Sequence, residues 1–246
     1  MNAGRHVPIQ GITFDFWRTL FYAYSNYKER KRVRVEALAD LTSISEERAT
    51  EAIDHMSRAY LMVHVNEQRT YGPEAAAPII AEFLQLELSN EETELLTTTF
   101  ADAILEYPPE PLEEALEAVR AAAEHVPVGI ISDTGLVPGR CLDVLLERHG
   151  IARHLTVRSY SDAVGVAKPQ SAIFHHAAQG LGVETNQLLH IGDLEPTDVA
   201  GAQKVGAAAA LFAGDNDRFL EKTAADYTFT QWREFILTLP KILDRF

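Results

Sequence analysis

Beyond residue 111 the chain alternates short apolar runs with stretches of helical periodicity, joined by connections of a few residues. The helix-period segments are 112–125, 138–149, 170–181, 197–205 and 231–243; the apolar runs are 126–132, 155–159, 188–191, 208–212 and 227–230. Neighbouring parallel strands need crossovers, and helical crossovers cover both faces of the sheet they connect. The pattern therefore predicts an α/β fold, a Rossmann-like parallel sheet with helices on both faces. Residues 7–16 read as a further buried strand that runs into Asp15. Between that strand and the alternating region, nearly everything has helical periodicity, with helices expected at 27–41, 45–65, 73–86 and 90–105. Glu46 and Glu47 suit a helix first turn, although Ser45 followed by Arg48 lacks a full capping box. The run Tyr107-Pro108-Pro109-Glu110-Pro111 ends the block, because successive prolines cannot continue a helix. The expected division is a core of residues 1–25 and 108–246 with an inserted all-α cap, residues 26–107.

The charge balance limits the partners. With 36 acidic residues against 22 basic ones the formal charge is −14, which argues against nucleic acid or an anionic membrane surface. A small anionic substrate remains compatible, since a local site can be positive on an acidic protein. No apolar run reaches the ~18 residues of a membrane span, the first six residues lack a signal peptide's apolar stretch, and Cys141 is the single cysteine. A cytoplasmic protein is expected; oligomeric state is not readable. One dense basic stretch, Lys28, Arg30, Lys31, Arg32 and Arg34, reads as a solvated helix face, the alternative being a lid that attracts anions.

In an open parallel sheet the site lies beyond the carboxyl ends of the strands. Those ends carry Asp15, Ser132, the loop with Lys168, and Asp193. The set is chemically coherent. An aspartate can attack phosphorus or carbon and form a covalent intermediate. Ser132 and nearby backbone N–H groups can hold non-reacting oxygens, and Lys168 supplies positive charge where anionic charge must be held. Asp15 with Asp193 makes an oxygen-only site suited to Mg²⁺.

Four segments, in order, carry a resemblance: Phe14-Asp15-Phe16-Trp17-Arg18-Thr19-Leu20, Ile130-Ile131-Ser132-Asp133-Thr134, Ala167-Lys168-Pro169, and Ile191-Gly192-Asp193 with Asp198. They resemble the four motifs of the haloacid dehalogenase superfamily of hydrolases, each at the matching point of the βα pattern. The resemblance implies an enzyme dependent on Mg²⁺ in which Asp15 is nucleophile and metal ligand. It implies that the Trp17 carbonyl and Asp193 also bind the metal, with Asp198 as ligand or support. Ser132, Asp133 and Lys168 would contact the substrate, a small phosphorylated molecule, and the helical block would act as the cap that closes over the site.

The departure is at Trp17. Phosphatases of the superfamily carry a second Asp there, which protonates the leaving oxygen and then deprotonates the attacking water; such help is worth roughly 10²–10⁴-fold. An indole has an N–H donor but no group that titrates near neutral pH. Phosphonatases use a cap lysine instead, and neither Lys28 nor Lys31 matches that pattern convincingly. The L-2-haloacid dehalogenases have an aromatic residue at this position, so Trp17 resembles them there, but they lack the acidic pattern of Asp193 and Asp198. Phosphoryl chemistry is therefore favoured, with a dehalogenase or a catalytically weakened binding protein as alternatives. Arg18 either places a cation near the anion pocket or faces outward. Glu195 and the adjacent His175 and His176 read as surface or packing residues, and Tyr22, Tyr24, Arg69 and Tyr71 as cap-loop positions that can meet a substrate.

Overall fold

The computed structural model describes residues 7–244; the six residues searched above for a signal peptide lie outside them. Strand β1 (Gly11–Phe14) is followed by four helices, α1 (Tyr27–Thr42), α2 (Glu46–Glu67), α3 (Ala76–Leu84) and α4 (Asn90–Glu106). The chain continues through α5 (Ala115–Ala123), β2 (Val128–Ser132), α6 (Gly139–Arg148), β3 (Leu155–Tyr160), α7 (Ser161–Val164) and α8 (Ser171–Leu181). It closes with β4 (Leu188–Gly192), α9 (Ala200–Lys204), β5 (Ala208–Phe212), β6 (Tyr227–Phe229) and α10 (Trp232–Leu243). The strands form one parallel sheet in the order β3-β2-β1-β4-β5-β6.

Successive side chains on a strand point to opposite faces, and this divides the apolar runs between two cores. Ile130, Leu189, Ile191, Ala210 and Phe212 pack on one face with α5, α6 and α10, through Ala118, Leu142 and Trp232. Their neighbours Ile131, Leu188, Ala209 and Leu211 pack on the other face with Ile173 and Phe174 of α8. Helices on both faces are thus required by continuous apolar strands, as the sequence pattern implied.

Helices α1–α4 have an apolar cluster of their own, built around Leu38, Ile53, Met56, Ile80 and Phe100. One helix joins it to the sheet: α4 gives Leu96 and Phe100 to the helical cluster and Ala101 and Ile104 to the sheet core. Element ends shift from expectation where backbone chemistry intervenes. The first strand is shorter than residues 7–16, α3 is preceded by a 3₁₀ turn at Pro73–Ala75, and α5 begins only after Glu114, which is left-handed at φ 56°. Ser45 caps α2 by accepting from the Arg48 N–H, and Ser89 with Glu92 forms a full capping box on α4.

The basic stretch on α1 is neither a wholly solvated face nor an anion-attracting lid. Arg30 and Arg34 are buried. Arg30 donates to the carbonyls of Ser25, Tyr107 and Ala23 at 2.7, 3.0 and 2.9 Å, fastening together the chain segments where the helical block leaves and rejoins the sheet. Arg34 donates to the Phe100 carbonyl at 3.0 Å. Periodicity cannot distinguish an arginine that satisfies buried carbonyls from one that faces water. Arg30→Met should leave three carbonyls without their donor and lower unfolding stability by about 2–4 kcal/mol. Urea denaturation checks this, and a loss within about 0.5 kcal/mol, the range of an ordinary surface substitution, would contradict it.

Candidate active site

β1 and β4 lie side by side, and the chain adds strands to one side of β1 before β4 takes up the other. Such a reversal opens a crevice at the carboxyl ends of the two strands. Asp15 follows β1 and Asp193 follows β4, with the Asp15 N–H donating to the Ile191 carbonyl at 2.8 Å. A cavity of about 680 Å³ lies there, with Asp15, Trp17, Asp133, Lys168, Asp193 and Asp198 in its wall. The block of helices contributes Tyr60, Leu61 and His64 of α2 and the following Thr70 and Tyr71.

Lys168 is the centre of the polar cluster. Its Nζ donates to Asp15 Oδ1 at 2.6 Å, to Asp198 Oδ1 at 2.7 Å and to the Ile131 carbonyl at 3.3 Å, and all three charged side chains are buried. Burial works against the ammonium, but the carboxylates of Asp15, Asp198 and Asp133 outweigh it and hold the Lys168 pKa above its ordinary value. The lysine is therefore a permanent cation.

One cation cannot equally compensate two carboxylates, and the hydrogen bonds decide between them. Asp198 Oδ1 also meets His190 Nε2 at 3.0 Å, while Oδ2 accepts from the Leu194 N–H at 2.9 Å and the Thr197 hydroxyl at 3.4 Å. Burial opposes its charge, but Lys168 and His190 overcome this and lower its pKa. Burial lowers the pKa of His190 itself, against the pull of Asp198. Because the carboxylate only accepts, Nε2 carries a ring proton, and Nδ1 meets the Thr13 hydroxyl at 3.0 Å. Asp15 is the less compensated acid: burial, and then the charges of Asp198 and Asp193, raise its pKa despite Lys168. Asp193 is pushed up to about 6 by burial and Asp198, partly offset by the 2.8 Å hydrogen bond from Asn216.

Gly192 is where this arrangement fixes a residue. A Cβ built there would stand 2.2 Å from the Asp198 carboxyl carbon. The chain needs glycine so that Asp198, at the first turn into α9, can fold back over the end of β4.

The sequence-derived residues Asp15, Lys168, Asp193, Asp198, Asp133 and Trp17 therefore come together. Ser132 ends β2, fully buried, outside the cavity lining, and its hydroxyl reaches only the Asp133 carbonyl at 3.4 Å. Asp133 Oδ1 accepts from the Lys168 backbone N–H at 2.9 Å, tying the two loops together. Arg18 resolves its two alternatives in one pose: it lines the cavity while its guanidinium is bound at 2.7 Å to both the side chain and the carbonyl of Asp215. Glu195 binds Thr223 and the Ala224 N–H, away from the carboxylate cluster, and His176 bonds Ser159.

Comparison with known proteins now decides the family. The family model described as haloacid dehalogenase-like hydrolase matches residues 9–206. The chain belongs to the haloacid dehalogenase-like hydrolases. Among curated proteins it is similar to the pyrimidine 5'-nucleotidase YjjG of Escherichia coli (strain K12), 28% identical over 146 residues, 59% of this chain and 63% of that protein. The match thus spans less than two thirds of that relative's length. Among solved structures, a 2-haloacid dehalogenase from Pseudomonas syringae pv. Tomato DC3000 shares the fold with a TM-score of 0.72 and 20% identity over 96% of this chain and 99% of that one. YfnB from Bacillus subtilis, bound to magnesium, gives a TM-score of 0.66 and 14% identity over 97% and 100%. The curated relatives of this haloacid dehalogenase-like protein also include a glyceraldehyde 3-phosphate phosphatase of Pyrococcus furiosus, 25% identical over 51% of this chain and 50% of that protein. Among its described residues no helix is long and apolar enough to cross a membrane.

Four residues of the cluster were missed in the sequence. Thr13 and His190 are polar positions inside apolar strands, and their pairing in register across β1 and β4 was the available signal. Asp215 and Asn216 follow the carboxyl end of β5, where the rule that located Asp15 and Asp193 also applies.

In protein kept in chelator, ionising Asp193 should cost stability. Its carboxyl holds a proton up to about pH 6 when folded, against an ordinary value of 3.8. The penalty is therefore absent below pH 4, grows as pH rises through that window, and is complete above it. Asp193→Asn should be more stable than the parent at pH 7 by about 1–3 kcal/mol, with the gap closing near pH 4. Denaturant melts at the two pH values test this, and a variant less stable at pH 7 would contradict it.

Proposed function

We propose that this hydrolase cleaves a small phosphorylated molecule through phosphorylation of Asp15. The observation carrying the reading is the sharing of Lys168: it holds one Asp15 oxygen at 2.6 Å and one Asp198 oxygen at 2.7 Å, while only Asp198 has further donors. That leaves Asp15 an oriented, desolvated acid at the wall of a cavity, its pKa pushed up to about 8, which a bound divalent cation would bring down so that the carboxylate can attack. An Asp15 oxygen attacks phosphorus, the bond from phosphorus to the ester oxygen breaks, and the leaving oxygen departs with its electron pair. Water then attacks the phosphorus of the aspartyl phosphate, releasing phosphate and restoring Asp15. Lys168 offsets the charge on the transferring group, and the helical block serves as the cap that excludes water.

The donor set suits Mg²⁺. Among the described residues no three His, Cys, Asp or Glu side chains form a ready-made metal cage. Mg²⁺ needs fewer, because it keeps several waters and takes one or two carboxylates. Asp15 and Asp193 are both raised in pKa by burial and by neighbouring carboxylates, a surplus of negative charge that a divalent cation relieves. These two, with the Trp17 carbonyl, would hold the ion. Asp198, whose two oxygens both accept hydrogen bonds, acts by holding Lys168. The ion would supply charge stabilisation to the phosphoryl oxygens.

Phosphate release from a panel of small phosphate esters, with Mg²⁺ and with chelator, tests the reading. Turnover should require Mg²⁺ and fall at least about 10³-fold in Asp15→Asn, the scale on which loss of a nucleophile acts. The aromatic Trp17 favours one rival. Release of chloride from 2-chloropropionate in chelator, with no phosphate released from any ester, would replace phosphatase with dehalogenase.

A further inference from the structure

Trp17 leaves two proton transfers unassigned, one to the leaving oxygen and one from the attacking water. The groups around the cavity narrow the candidates. Lys168 and Asp198 bind each other, Asp15 and Asp193 are the nucleophile and its neighbour, and Asp133 is bonded to the Lys168 backbone. The Tyr60 hydroxyl donates its proton to the Gly72 carbonyl at 2.6 Å, and burial raises its pKa further. Arginine does not give up its proton in this range, and a phenol is a poor proton carrier near neutral pH.

His64, in the last turn of α2, differs from all of these. Its imidazole forms part of the cavity wall and is about one-third exposed. Nδ1 is buried without a partner, and Nε2 stands 3.9 Å from Asp133 Oδ2, beyond hydrogen-bond length. The buried His190, by contrast, is bonded through both nitrogens. An imidazole with neither nitrogen engaged has no structural hydrogen bond to explain it, and imidazole is the side chain suited to passing protons near neutral pH. Asp133 lies where it can orient the ring and stabilise it once protonated.

We infer that His64 is the proton donor and acceptor that replaces the carboxylate missing at position 17, an inference that rests on the phosphatase reading. In the first step the bond between phosphorus and the ester oxygen breaks as the Asp15 bond forms, and the leaving oxygen takes the His64 proton. In the second, water attacks the aspartyl phosphate and gives its proton to His64, restoring the starting state. Placing this group on α2 makes proton transfer depend on the helical block being closed over the sheet.

The test compares the parent with His64→Gln, of similar length at a partly exposed position, on p-nitrophenyl phosphate and on an alkyl phosphate with Mg²⁺. His64→Gln should lose at least about 10²-fold in kcat on the alkyl ester. On the aryl ester, whose leaving group departs as an anion, the first turnover should keep its rate and be followed by a slow steady state. Phosphorylated Asp15 should accumulate under rapid quench. Added imidazole should restore part of the rate in His64→Ala, a second variant that opens space for it. Unchanged rates in both variants, or slowing on the aryl ester without phosphoenzyme accumulation, would overturn the role of His64. A parent inert on every phosphate ester would instead overturn the phosphatase reading itself, and this inference with it.

Discussion

Lys168 stands between two buried aspartates and cannot serve both equally. In water such a triad would be of little consequence. With its members excluded from solvent, the charges interact strongly and the outcome depends on which acid has further donors. Asp198 has the ring of His190, the Leu194 N–H and the Thr197 hydroxyl; Asp15 has the lysine alone among side-chain donors. Both line the cavity, and the asymmetry of the hydrogen bonds leaves Asp15 the less compensated of the two.

The fold supplies that asymmetry through the register of its central strands. Thr13 and His190 are cross-strand partners on β1 and β4, and their hydrogen bond holds the ring in place against Asp198. The absence of a side chain at Gly192 lets Asp198 reach back to that ring. Lys168 arrives from the loop before α8, and its backbone N–H is held by Asp133 from the end of β2. Three strand ends thus converge on one ammonium, which is possible because a parallel sheet puts all its carboxyl ends on one edge.

Much of this was legible in the sequence, for identifiable reasons. Continuous apolar runs separated by helix-period segments specify a two-faced parallel sheet, and an aspartate ending such a run has little structural justification. Asp15, Lys168 and Asp193 could be located in this way. The compensating residues could not be placed from linear pattern alone: Asp198 read as a metal ligand or a support for one, and only the fold reveals that both its oxygens are taken. Arg30 and Arg34 misled for a related reason, since their periodic spacing gave no sign of the carbonyls they satisfy. His64 carried no motif and sits on a helix whose pattern spoke mainly of packing. Its importance emerges only when the cavity brings it near Asp133.

Trp17 puts an indole two residues after Asp15, where the resemblance would place a second carboxylate. The central claim is that Asp15 nevertheless forms a covalent bond to phosphorus. The most direct measurement is to quench the protein with acid during turnover of an aryl phosphate in Mg²⁺, reduce any acyl phosphate with borohydride, and map the modified residue by mass spectrometry. The account predicts conversion of Asp15 to homoserine, dependent on substrate and absent in Asp15→Asn. Continued release of phosphate with Asp15 unmodified, or the modification on another residue, would contradict it.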